Sequence, residues 1–180
     1  MKAICQPGSV AAVVAAGGLL WGCATAPPPP VKDGELPLPA DYKNWPKFLS
    51  AVQRPDAKQV REIYMNPVAR DASAAGGFPN GTIFVMENYA AKARADGTLE
   101  AGRDGKLVKG ELQRVFVMGK NAGWGADVIE PLRNGSWVYA AWLPSGQKAP
   151  DDTNTCRACH LPLSGKDFVH RYDEHFASRP

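Results

Sequence analysis

Through the middle of the chain, apolar and polar side chains alternate or gather in short β-branched blocks more than they recur at helical spacing, so the pattern predicts strands. Residues 81–89 are rich in β-branched and aromatic side chains and follow the turn Phe78-Pro79-Asn80-Gly81. Residues 111–119 open with apolar-polar alternation, and residues 136–143 form a third run between Asn134-Gly135 and Pro144-Ser145-Gly146. Between the first two runs lies a polar stretch with Asp96-Gly97 and Asp104-Gly105, turn signals that predict a small hairpin of its own. Residues 56–65 fit a helix opened by Pro55-Asp56 or a strand through Ile63-Tyr64-Met65 equally well. Near the end, Ser164 and Asp167 have capping-box spacing and Phe168, Tyr172 and Phe176 recur four apart, which predicts a C-terminal helix. Together these elements predict a mainly β to α+β fold, a single domain with an antiparallel sheet and a few short helices.

The first 40 residues stand apart from that pattern. Lys2 is the only charge before Cys23, and residues 10–21 are uncharged but shorter than the roughly 20 residues of a membrane span, as in a secretion signal. The run ends in Leu20-Trp21-Gly22-Cys23, which resembles a bacterial lipobox, where residues 1–22 are removed and the cysteine is acylated. Ordinary cleavage after Ala24-Thr25-Ala26 would put Pro27 at the scissile bond, where its ring and missing N–H are unfavourable. The expectation is an exported protein, anchored to a membrane by lipid on Cys23 and facing the periplasm. Ala24, rather than an aspartate, fits the outer membrane. Pro27 to Pro30, Pro37 and Pro39 make residues 23–40 a semi-rigid linker, with the folded domain at 41–180. A length of 180 residues with 44% hydrophobic content suits one core. Setting Lys2 aside, 20 basic residues face 18 acidic ones, scattered rather than gathered on one stretch, and this argues against nucleic acid as a partner.

The cysteines carry the chemistry. Cys5 lies in the signal and Cys23 is assigned to lipid, which leaves Cys156 and Cys159 in Cys156-Arg157-Ala158-Cys159-His160. C-x-x-C-H spacing lets two thiols add to the two haem vinyl groups while the adjacent imidazole reaches the iron. A disulfide, half of a zinc site and a thioredoxin-type redox pair compete with this reading. Zinc would need a second ligand pair, and the only other histidines, His170 and His175, lie on the C-terminal segment, where ordinary surface or packed roles suit them. A redox pair normally sits early, in a βαβ unit, whereas this motif comes late, after an antiparallel pattern. Export and the adjacent histidine favour one covalent haem c, with His160 on the iron.

Tyr42-Lys43-Asn44-Trp45, Phe78-Pro79-Asn80-Gly81-Thr82 leading a strand, Trp137 in a late strand and the C-terminal haem motif together resemble the cytochrome P-460 family, from Asp41 onward. The resemblance implies a mono-haem periplasmic protein of largely antiparallel β fold, with a homodimer among its expected states. Cytochromes P-460 proper oxidise hydroxylamine, whereas the related cytochromes c′-beta bind small gases such as nitric oxide at five-coordinate iron. The first group carries a strand lysine cross-linked to the porphyrin, and counting from the Gly-Thr turn places Met86 at that position. A thioether cannot form the amine bond. Lys92 shares its face only if the strand continues past Tyr89.

Alternation puts Thr82, Phe84, Met86 and Asn88 on one strand face, so Phe84 and Met86 are candidate haem contacts. An apolar wall there favours neutral diatomic ligands, since no donor compensates a buried charge; simple core packing is the competing reading. Met86 as sixth iron ligand would instead give an electron carrier with a redox partner protein. Asp151 and Asp152 are candidate acid or base groups for chemistry on hydroxylamine, nitric oxide or peroxide, although adjacent loop aspartates are more often merely solvated. Arg114, Trp124 and Glu130 are further pocket candidates.

Overall fold

Five strands lie side by side in the order in which they occur along the chain, each antiparallel to the next. They are β1 (Lys47–Arg54), β2 (Gln59–Met65), β3 (Ile83–Ala91), β4 (Lys109–Lys120) and β5 (Trp137–Trp142), and the C-terminal segment adds two short helices, α1 (Thr153–His160) and α2 (Tyr172–Ala177). The computed structural model describes residues 29–150 and 152–178. The expected mainly β to α+β single domain is therefore the observed one, and the three strands read from the sequence are β3, β4 and β5.

The ambiguity at 56–65 resolves into both elements in succession. Pro55–Ala57 form a 3₁₀ turn, Lys58 takes a left-handed conformation with φ 53°, and β2 starts at the next residue. Strand β1 was not expected. Ala51 sits at φ 48°, and the pairing with β2 slips twice, between Lys47 and Leu49 and between Leu49 and Val52. Such bulges break the period-two pattern on which strand recognition depends, while protecting an edge strand from pairing with other chains. The polar insertion closes two tight reversals, bridged at Ala93–Leu99 and Ala101–Leu107.

Residues paired across an antiparallel ladder point to the same side, so the register defines two faces. One bears the row Met65, Phe84, Met118 and Tyr139, then the row Ile63, Met86, Phe116 and Ala141, then Arg61, Asn88 and Arg114. The other bears Tyr64, Val85, Val117 and Ala140, with Glu87 and Val115 in the next row. The first face packs an aromatic core of Phe48, Phe78, Phe84, Trp137 and Tyr172, against which Cys156, Phe168 and Phe176 rest. The second is covered by the chain before β1, through Leu36 and Tyr42, with Val31, Leu38 and Trp45 beside them.

That covering segment corrects the expected linker. Leu36 is 1% exposed, inside the core. Gly34 N donates to the Tyr139 carbonyl at 2.7 Å and Tyr139 N donates to Asp33 Oδ1 at 2.9 Å, so this strap also closes the outer edge of β5. The contact is made by a turn: Glu35 N donates to the Lys32 carbonyl at 3.1 Å and Gly34 sits at φ 77°, which presents Asp33 and Gly34 to the unpaired backbone of Tyr139.

A second correction concerns the C-terminus. Ser164 does not cap a helix running through Phe176. Leu161–Lys166 form a 3₁₀ stretch that ends in two consecutive left-handed residues, Asp167 at φ 50° and Phe168 at φ 58°, and α2 begins only at Tyr172. Phe168, Tyr172 and Phe176 still converge on the same core, by way of this turn instead of a common helix face.

Candidate haem site

Asp152 starts α1: its side chain accepts a hydrogen bond from Asn154 N at 2.9 Å, the usual way an aspartate satisfies an orphan donor at a helix N-terminus. Over the eight residues Thr153–His160, Cys156 and Cys159 are three apart and Cys156 and His160 four apart, which groups the motif residues on neighbouring helical positions. Arg157 turns the other way and is 0% exposed. Its guanidinium donates to Asp33 at 2.5 and 2.9 Å and to the Trp137 carbonyl at 3.1 Å. The Asn134 amide closes the arrangement by donating to the Arg157 carbonyl at 3.3 Å. A cation can be buried there because an anion and carbonyl acceptors meet it. The effect is to bolt the motif helix to the strap and to the end of β5.

The exposed side of α1 holds both thiols, and neither is in a disulfide. Cys156 is half-buried against the core and Cys159 is exposed. The His160 ring lies 5.2 Å from that of Tyr139 and 4.7 Å from that of His170. Its Nδ1 is 2.6 Å from the Phe168 carbonyl. A carbonyl can only accept, so Nδ1 must carry the proton, and the lone pair of the neutral ring is on Nε2. Burial pulls the imidazole down to about 4, only partly offset by the Phe168 bond, so the ring is neutral at physiological pH. A neutral, oriented imidazole beside two thiols is a donor set that suits haem attachment and iron ligation.

Residues 39–171 match the family model for cytochrome P460. The chain belongs to the cytochrome P460 family. No curated protein matches it. Membership makes the protein a cytochrome with a haem cofactor, and the motif helix is the part of this cytochrome equipped to hold one. Tyr139 supports the fit: it is 3% exposed, and its hydroxyl is buried without a hydrogen-bond partner beside the motif. Burial pushes that phenol well above the ordinary range, so it remains a neutral donor.

The other expected site residues of this cytochrome divide by face. Phe84 is 5% exposed and stacks on Trp137 at 5.8 Å, with Phe48 and Phe78 each at 4.9 Å, so core packing is its role. Met86, one row further along the same face, is half-exposed beside Ile63 and Phe116, its partners on β2 and β4. Arg114 lies on this face opposite Asn88. Trp124 packs on the opposite face, and Glu130 is exposed and paired with Arg133, so neither belongs to the site. Strand β3 does continue past Tyr89, to Ala91, and Lys92 follows it as an exposed residue, six positions and so roughly 20 Å of extended chain beyond Met86. Asp152 is exposed and occupied as a helix cap. Asp151 and Cys23 lie outside the described residues.

Two histidines behave differently. His175 is a packed core residue, 4% exposed, with its ring 4.3 Å from that of Phe48. His170 stands at the site, its Nε2 3.5 Å from Cys159 Sγ. Arg157, Tyr139, Asp33 and the Phe168 carbonyl are parts of the site that sequence reasoning misses; for Phe168 it points only to a C-terminal helix face. Only Arg157 carries a sequence signal, as one of the two residues between the motif cysteines.

Proposed function

We propose that this cytochrome carries one haem c, joined by thioethers to Cys156 and Cys159 and ligated through His160 Nε2, and that its five-coordinate iron binds nitric oxide or a similar small neutral ligand. When bound, the haem supplies an iron with one open position for that ligand. The protein supplies the rest: Cys156 and Cys159 fix the ring, Phe168 fixes the imidazole, and Met86 with Phe116 and Ile63 offers an apolar surface on the facing strands. An apolar wall penalises anions and admits neutral diatomics.

The single observation that carries this reading is the His160–Phe168 hydrogen bond, which commits one ring nitrogen and leaves the other as a ligand. Met86 where hydroxylamine-oxidising relatives would have their cross-linking lysine, and Asp152 engaged as a cap, both argue against hydroxylamine oxidation. Acylation of Cys23 would hold the domain at the periplasmic face of the outer membrane. The test is an optical titration of the reduced, haem-loaded protein with nitric oxide. A high-spin five-coordinate spectrum that converts stoichiometrically to a nitrosyl form is expected; a low-spin six-coordinate spectrum before any ligand is added contradicts the proposal.

A further inference from the structure

The carbonyl that orients His160 belongs to an unusual turn. Asp167 and Phe168 are consecutive non-glycine residues in the left-handed region, with φ 50° and 58°. A bulky aromatic residue rarely adopts that conformation, and it persists only where surrounding structure over-determines it. Here the surroundings do so from several directions. The Asp167 carboxylate accepts from Lys120 Nζ at 2.9 Å on both oxygens, from Phe78 N at 2.8 Å and from Trp137 Nε1 at 3.2 Å. Lys120 Nζ also donates to the Phe78 carbonyl at 2.8 Å, tying β4 and the loop before β3 into the same knot. Two glycines make room for the turn. A Cβ on Gly77 would fall 2.9 Å from Asp167 Oδ2, and one on Gly135 would fall 3.2 Å from the Phe168 ring. Both glycines are themselves at positive φ.

We infer that Asp167 is a positioning residue for the iron ligand: by holding the left-handed turn, it aims the Phe168 carbonyl at His160 Nδ1 and so sets the orientation and donor strength of His160 Nε2. The inference rests on His160 being the axial ligand, as proposed above. The physical link is general. A strong acceptor on the distant ring nitrogen gives an imidazole more basic character, strengthens its bond to the metal and favours the oxidised iron. The carboxylate touches neither the imidazole nor the haem-binding thiols and works only through the backbone of the next residue.

Replacing Asp167 with Asn keeps the shape of the side chain but sets an amide N–H₂ among groups that are themselves donors, so the knot loosens and the carbonyl drifts. Resonance Raman spectra of the reduced, haem-loaded protein read the iron–histidine stretch directly, and redox titration reads the potential. Asp167→Asn is expected to lower the stretching frequency and raise the potential, and Lys120→Met to move both the same way by less. Glu62→Gln is the control: it breaks the ion pairs of Glu62 with Lys47 and Lys109 away from the motif, and should cost thermal stability without moving either reading. A folded Asp167→Asn protein with the wild-type stretch and potential overturns the inference. Should that variant not fold, Lys120→Met decides on the same two readings. A wild-type protein with five-coordinate high-spin haem but no iron–histidine band would instead defeat the ligand assignment itself.

Discussion

At residue 86 a thioether stands half-exposed on the sheet face against which Cys156 packs. If Met86 only walls the pocket, Met86→Ala leaves the reduced spectrum high-spin and chiefly alters ligand dissociation. Conversion of a low-spin to a high-spin spectrum in that variant would show that its sulfur ligates the iron. Asp33 and Arg157 make a stronger claim on stability, because removing one partner of a buried pair leaves an uncompensated charge. Asp33→Ala should cost about 3 kcal/mol, read from the urea midpoint; a loss within the scatter of surface substitutions would show that the pair does not hold the motif helix. At this scale the sequence was informative where chemistry fixes spacing, as in Cys156, Cys159 and His160, and silent where a partner comes from far along the chain. Nothing near Arg157 announces Asp33, and nothing near His160 announces the Phe168 carbonyl.

Among the elements, β3 and β5 were legible as apolar runs bounded by turn residues and β4 by its opening alternation, whereas bulged β1 lost its alternation. The expected C-terminal helix failed for a tertiary reason: Asp167, read as the end of a capping box, is drawn away to Lys120, Phe78 and Trp137. The covered face of the sheet has its own polar centre. Glu87, 1% exposed, accepts from the hydroxyls of Tyr42 at 2.8 Å, Tyr64 at 3.1 Å and Tyr89 at 2.8 Å. Burial, then the hydrogen bond and charge of Glu87, raise the Tyr42 and Tyr89 phenols well above their ordinary value. The folded state therefore holds these protons more tightly than the unfolded chain does. Their contribution is complete below about pH 10, where free tyrosine begins to ionise, and is lost as pH rises through the folded-state values. Denaturation midpoints should stay level up to about pH 10 with respect to these groups and fall above it. Phenolate absorbance that developed in the folded protein at the pH of free tyrosine would contradict this.

Taken whole, the molecule is a five-stranded meander held between two segments from opposite ends of the sequence: the strap before β1 on one face, and the motif helix with its turn on the other. The salt bridge between Asp33 and Arg157 joins them, so the part of the chain nearest Cys23 is fastened directly to the part proposed to hold the haem. This shortens the free tether expected from the prolines, since chain from Val31 onward packs against the domain. No helix among the described residues is long and apolar enough to cross a membrane.

All of this turns on the porphyrin being covalently fixed at the motif, and the intact mass of the polypeptide after denaturation and acid extraction tests that directly. Protein matured in a host that assembles c-type cytochromes should retain the mass of one haem, and Cys156→Ala/Cys159→Ala should lose it. A wild-type chain that emerges at the bare polypeptide mass, with both thiols open to alkylation, would contradict the account.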